Sequence, residues 1–314
     1  MHIPDGFLGA PVAATTWVLA GAGLAGALRA ERRDPVPVPA GVLGSLAAFV
    51  FAAQMVNVPI APGTSGHLVG ATLVAVLVGP WRTLIVMAAV LAVQALLFQD
   101  GGITAFGANL IDMGVAGAFV GYAVATFTMR LARGPRGCAI GGVLGAFAAT
   151  LTGAALVALW LALSGLYPLG GILAVMLISH AAIGLLEAVL TGVILVTVLR
   201  WRPDLVAGLG NGAAVRRPGA LALGVIGLAL LVAGFVAPFA SRLPDGLERA
   251  ALDLGFAGHA RPLVPAPLWE SASRHGPLAA LAPAAAGIAG TALVALIAWM
   301  LTRSLAVGTD EPHR

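Results

Sequence analysis

Runs of apolar residues, each closed by a short polar or Gly/Pro-containing stretch, divide the chain into nine segments. They fall near 10–28, 40–58, 67–80, 82–98, 108–129, 138–165, 171–199, 218–240 and 277–302. A helix needs about 20 apolar residues to cross a hydrocarbon layer of about 30 Å. All but the third run come near or above that length. The third is short, so it is expected to be tilted, irregular or partly re-entrant. The predicted fold class is all-α: a polytopic transmembrane helical bundle of about nine spans. Composition agrees, since 60% of the 314 residues are hydrophobic and 10% are charged, against about 25% charged in soluble domains. The 42 glycines point to closely packed helices rather than a barrel.

Charge sets the orientation. All 17 basic residues are arginine, and they sit in the breaks between apolar runs. That is the positive-inside pattern, not a nucleic-acid patch, and no nucleic-acid partner is expected. With the N-terminus outside, thirteen arginines lie in inner segments. The other four, Arg242, Arg249, Arg261 and Arg274, share one long outer loop, 241–276. Met1 is therefore expected outside and the C-terminus inside. A polar, Gly-rich stretch, 203–217, reads as a cytoplasmic linker. It separates residues 1–202, with about seven spans, from residues 218–314, a two-span part with the long extracytoplasmic loop. Two spans bury little against each other, so that part is expected to pack on the first or on a partner.

Several chemistries are excluded. One cysteine, Cys138, permits no internal disulfide and no cysteine zinc site. Without lysine there is no Walker phosphate loop, and no His-Glu-x-x-His motif or nucleophile–base set is visible. The chain does not read as an enzyme. Any uphill transport must draw on a partner ATPase or an ion gradient. The start also lacks the basic region of a signal peptide.

The candidate chemistry begins at residue 1. The Met1 amine, the His2 backbone nitrogen and His2 Nδ1 can close on one metal as two fused chelate rings. Three in-plane nitrogens suit Ni(II) or Cu(II). His67 follows an ordered turn, Asn57-Val-Pro-Ile-Ala-Pro-Gly-Thr-Ser-Gly-His67, on the expected face of Met1. It either decorates a helix start or supplies the fourth nitrogen. The stretch Phe98–Asn109 is a turn with Asn109 as a candidate helix cap, or else a wall over the metal pocket. His180 and Glu187, two turns apart in the seventh run, are functional candidates or interhelical hydrogen-bonding groups, and Asp112 is treated likewise. Pro244-Asp245-Gly246-Leu247-Glu248 and Pro4-Asp5-Gly6 both read as turns. Small-residue pairs such as Ala22/Gly26 suit either internal packing or docking to a partner.

Met1-His2-Ile3-Pro4-Asp5-Gly6-Phe7-Leu8, Met55-Val56-Asn57 through Gly63-Thr64-Ser65-Gly66-His67-Leu68, the 98–109 loop and His180…Glu187 resemble the substrate-binding membrane component of nickel and cobalt energy-coupling factor transporters, the NikM/CbiM type. That covers residues 1 to about 200. The two-span part, with Pro244-Asp245-Gly246-Leu247-Glu248, resembles the NikN-type accessory subunit, here fused. The resemblance implies metal ligation by the Met1 amine, the His2 amide and imidazole nitrogens and His67, with Asn57, Ser65 and Gly66 as supports by position. It implies a transmembrane coupling subunit and cytoplasmic ATP-binding-cassette ATPases as partners, in the lipid of a prokaryotic inner membrane, with no organic cofactor. Pro4-Asp5-Gly6 and the fused part look more like the nickel branch; Co(II) is the alternative substrate. Two other classes stay open: a secondary transporter using His180 and Glu187 as a proton relay, and a subunit that binds metal without moving it.

Overall fold

The structure is a computed structural model that describes residues 1–34, 38–61, 63–206, 215–263 and 281–306. Arg274, His275, Arg314 and the middle of the 203–217 linker lie outside the described residues. Each of the nine apolar runs contains a helix. Seven helices among the described residues are long and apolar enough to cross a membrane. They are α1 (Ala10–Arg33), α4 (Pro80–Phe98), α5 (Phe106–Leu131), α6 (Pro135–Leu163), α7 (Leu169–Trp201), α8 (Pro218–Phe239) and α10 (Ala282–Ala306). The protein is a helical polytopic membrane protein.

The second and third runs differ from their neighbours. Helix α2 (Ala40–Gln54) has 15 residues, ten of them buried, because α8 and α10 pack on it. The third run is broken. Strands β1 (Val58–Ala61) and β2 (Thr64–Gly66) form an antiparallel hairpin, residues 67–70 have no regular structure, and α3 (Ala71–Val78) follows with all eight residues buried. Gly70 turns the chain into α3 at φ +77°, a region that favours glycine. Irregular backbone at membrane depth survives only where protein satisfies its polar groups. Here Val69 N–H and Gly70 N–H donate to Glu187 Oε2 and Oε1 at 2.6 and 2.9 Å, and Val69 O accepts from Gln54 Nε2 at 2.8 Å. Glu187 and Gln54 thus replace the missing helical bonds.

Small residues, among them Gly141, Gly145, Ala146, Ala149 and Ala154, form the buried face of α6. That lets it lie close to α5 and α7, as packing without a hydrophobic drive between helices requires. Residues 94–98 and 110–121 wind with the wider i→i+5 pattern, which is frequent at functional sites. On α1, Gly26 rests on Trp81 while Ala22 is exposed, so the small-residue pair is divided between internal packing and the outer surface.

The C-terminal part packs on the first part. Helix α10 lies on α2 and α4, and α9 (Gly246–Asp253) lies on α7. The connecting chain is sewn to the N-terminal part by Ser241 N–H to Asn57 O (2.8 Å), Ser65 N–H to Pro244 O (2.9 Å) and Arg261 N–H to Asp5 O (2.7 Å). Residue 1, the β-hairpin, the 99–105 turn and the 240–263 segment gather at one end of the bundle.

Candidate metal centre

The first nine residues fold into that end of the bundle, and Met1, His2, Ile3, Asp5 and Phe7 are buried. An extended segment can stay there only if its backbone is paired. Asn109 provides the pairing: its Oδ1 accepts from Ile3 N–H at 2.8 Å and its Nδ2 donates to Ile3 O at 3.0 Å, while Gly102 N–H also reaches Ile3 O at 2.8 Å. Asp5 Oδ1 accepts from the Thr104 N–H and hydroxyl at 2.7 and 2.6 Å. The 98–109 loop is therefore a wall against the N-terminus. Asn109 lies inside α5 and does not cap it; its amide serves Ile3.

Three nitrogen groups converge behind this wall. The Met1 amine, His2 and His67 are each less than one-tenth exposed. The His2 and His67 rings stack with centroids 5.4 Å apart and planes at 28°. Donor atoms of His2, His67 and Asp245 all lie within 4.8 Å of one another. The amine forms an ion pair with Asp245 Oδ2 at 2.6 Å, and His2 Nδ1 lies 3.0 Å from Asp100 Oδ1. Asp245 also accepts from Leu247 N–H and Glu248 N–H as the N-cap of α9. Burial works against its charge, but the Met1 ammonium beside it prevails by charge and hydrogen bond, with help from the cap. The carboxyl is held far below the usual range.

A relay fixes the ring of His2. It starts at Val69 O, which can only accept, so Gln54 must donate its Nε2 there and present its oxygen. Gln94 Nε2 donates to that oxygen at 2.7 Å and presents its own oxygen to His2 Nε2 at 3.3 Å. His2 Nε2 must therefore carry hydrogen, which leaves Nδ1 for a proton or a metal. His67 Nδ1 faces Leu68 O at 3.3 Å. It donates there, so the lone pair of the ring is on Nε2.

Above the donors opens a vestibule of about 430 Å³ that includes His2, Asp100, Arg242, Asp245 and Glu248 in its walls. Its three carboxylates against one guanidinium favour a cation.

The other sequence candidates divide. Ser65 turns to the C-terminal part, its hydroxyl donating to Leu243 O at 2.6 Å. Gly66 lines a small chamber beside Met1 and His67. Asn57 Oδ1 has no hydrogen-bond partner among the described residues. Glu187 holds the broken third span at residues 69–70, directly after His67. His180 lines the same chamber as Gly66, Met1 and His67. Sequence reasoning missed Asp245, Gln54 and Gln94. Both glutamines are polar residues inside apolar runs, a signal that could have found them.

Residues 2–205 match the family described as the cobalt uptake substrate-specific transmembrane region. A fused nickel transport protein (NikMN) of Archaeoglobus fulgidus is 36% identical over 310 residues, 96% of this chain and 98% of that one. A cobalt transport protein (CbiM) of Geobacter sulfurreducens is 32% identical over 283 residues, 83% and 79% of the two chains. A solved transition metal transporter aligns with a TM-score of 0.55 at 36% identity, covering 64% of this chain and 93% of that one. The chain belongs to this family of nickel and cobalt transport proteins.

Proposed function

We propose that this member of the family captures a divalent transition metal, Ni(II) foremost and Co(II) as the alternative, as the substrate-specific subunit of an ATP-driven energy-coupling factor transporter. The capture site is the Met1 amine, the His2 amide and Nδ1 nitrogens and His67 Nε2. One observation carries this reading: an amine, two imidazoles and a carboxylate gather within about a ligand shell of one another at the floor of an acidic vestibule. Three of the four nitrogens come from two adjacent residues, so their geometry is fixed by covalent bonds. A square of nitrogens with a deprotonated amide suits Ni(II). The clamp by Asn109 and the glutamine relay hold the chelate in place, as partners of metal-bound histidine do elsewhere.

The work of import falls to partners: a transmembrane coupling subunit and cytoplasmic ATP-binding-cassette ATPases. The exposed faces of α1 and α8 offer lipid-facing and partner-facing surface. The site faces the outside of an inner membrane in this reading, as the arginine distribution requires. A proton-relay secondary transporter is the weaker reading, because the Glu187 carboxylate is engaged by two backbone N–H groups.

The test is to insert one alanine before Met1 in the full chain. Every side chain is retained, but His2 moves one peptide unit from the amine. We expect an altered Ni(II) absorption spectrum and no uptake in cells that supply the partner subunits. Normal uptake with an unchanged spectrum would overturn the N-terminal site.

A further inference from the structure

A chain end is ordered only where something ties it down, yet three of the four nitrogens of the proposed capture site belong to residues 1 and 2. The Met1 amine is tied by charge, to Asp245. Farther along, Asn109 ties the backbone of Ile3. Residue 1 has one more hold, its own side chain, which is 3% exposed. The end of that side chain reaches the crossing of α5 and α6: a Cβ on Gly153 would stand 3.4 Å from Met1 Cε and 2.6 Å from Asp112 O. The missing side chain at Gly153 thus lets α6 approach the α5 backbone and leaves contact distance for the methyl group.

The seat is apolar and nearly full. Met1 belongs to one buried cluster with Val69, Ala71 and Met113. It borders two small chambers, one shared with His67 and Asp245, the other with Asp112, Glu187 and Thr150. Each has room for about 10 Å³, one water at most. Cutting the side chain back to alanine would join the two into one cavity with polar groups in its wall, the kind that water enters. An unbranched side chain with three rotatable bonds suits such an irregular gap.

We propose that the Met1 side chain is the positioning group for its own amine: its seat between α5 and α6 holds the first nitrogen in place while the metal loads. This rests on the reading of the N-terminal residues as the capture site. The ion pair with Asp245 depends on an ammonium, and an amine that takes a metal has given up that proton. The side chain carries no charge, so its hold is the same before and after loading. Its ordering accompanies folding rather than binding, and a ligand fixed beforehand in its bound conformation binds more tightly. The seat recognises length and apolar shape; the sulfur is not a ligand.

The experiment uses the full-length detergent-purified protein with Ni(II) as the probe. The chain is made behind a cleavable leader, so that cleavage leaves the wild-type start, Met1→Leu or Met1→Ala, and mass spectrometry verifies each new terminus. Every variant keeps the amine and all four nitrogens. Affinity is read by chelator competition well below the melting temperature, where a loss of stability alone does not move it. We expect Met1→Ala to bind Ni(II) about tenfold more weakly or worse, with the wild-type absorption spectrum at saturation. Met1→Leu should stay within a few-fold of wild type. Thermal melts identify any variant that has not folded, in which case Met1→Val, also too short to reach Gly153, repeats the measurement. Wild-type affinity in Met1→Ala would overturn the positioning role. So would a loss in Met1→Leu as large as that in Met1→Ala, which would assign the effect to the sulfur. A His2→Ala protein with the wild-type Ni(II) spectrum and affinity would instead overturn the capture site itself.

Discussion

Gln94 is where the protein reveals whether His2 is a metal ligand. Its side chain joins two buried partners: it donates to Gln54 Oε1 at 2.7 Å and accepts from His2 Nε2 at 3.3 Å. Gln94→Leu, close in volume, strands both partners. Each buried unpaired group costs about 1–3 kcal/mol, so a loss of roughly 2–6 kcal/mol in stability is expected. The effect on metal is separate. Without an acceptor at Nε2 the hydrogen is free to move to Nδ1, where it competes directly with the ion. Loss of such an orienting partner typically costs 10–100-fold in affinity, or about 1.4–2.7 kcal/mol. Gln94→Glu separates the two effects: its carboxylate still accepts from His2 but cannot donate to Gln54. We expect Gln94→Leu to weaken Ni(II) binding 10–100-fold in a chelator-competition titration near neutral pH. Gln94→Glu should stay within a few-fold of wild type while melting at lower temperature. A purely structural glutamine would make affinity follow melting temperature in both variants. Wild-type affinity in Gln94→Leu, or an equal loss in Gln94→Glu, would refute the relay.

Three further outcomes are expected. Ni(II) affinity should fall between pH 8 and pH 5, roughly tenfold per unit for each proton displaced; Asp245 stays ionised throughout that range, because folding holds its carboxyl below its ordinary 3.8. Its contribution to stability is complete above 3.8 and is lost as pH drops below that value, so a thermal-shift series should show a loss there that Asp245→Asn abolishes. Glu187→Ala should cost about 3 kcal/mol or more, from the loss of two hydrogen bonds to the carboxylate, and weaken metal binding by loosening residues 67–70; Glu187→Gln, which offers one acceptor oxygen where two N–H groups donate, should lose a smaller part of both, and a Glu187→Gln protein that binds metal normally but transports none would revive the proton relay. His67→Ala should abolish high-affinity capture in the titration while His259→Ala leaves it unchanged, since His259 Nδ1 lies at Phe256 O outside the donor cluster; equal losses would mean the site is misplaced.

Hydrophobic periodicity made the bundle legible because burial in lipid or protein asks the same apolar character of every span. The short third run was legible as irregular, but not its structure. Its extended half is stable only through Gln54 and Glu187, which lie 15 and 118 residues from Val69. The proposed chelate at Met1 and His2 is a sequence-level reading because covalent bonds, not folding, set its spacing. Asp245 could not. Pro-Asp-Gly at a helix start satisfies turn and cap chemistry on its own, and Asp245 does cap α9. Its second role depends on the C-terminal part folding back across 244 residues of chain to residue 1. The linker 203–217 suggested a boundary, and a boundary in sequence says nothing about which part supplies a charge to a shared site.

The two carboxylates at the centre explain how an acidic pocket can wait for metal without being destabilised by its own charge. The amine pairs with Asp245 and His2 Nδ1 faces Asp100, so two of the four nitrogens of the proposed site already have an anion beside them. An unpaired buried carboxylate would carry a desolvation cost of several kcal/mol. In the salt-bridged form the Met1 ammonium meets that cost at Asp245. When the ion brings its two positive charges, the ammonium proton and the His2 amide proton leave, and the two carboxylates stay in place. Loading is then an exchange of protons for metal at nearly constant local charge. The selectivity lies in the nitrogens, since an ion that prefers oxygen would gain little over the protons it displaces. One of the two balancing anions comes from the C-terminal part. In the proposed site the C-terminal part thus supplies the counter-charge for the amine of the same chain.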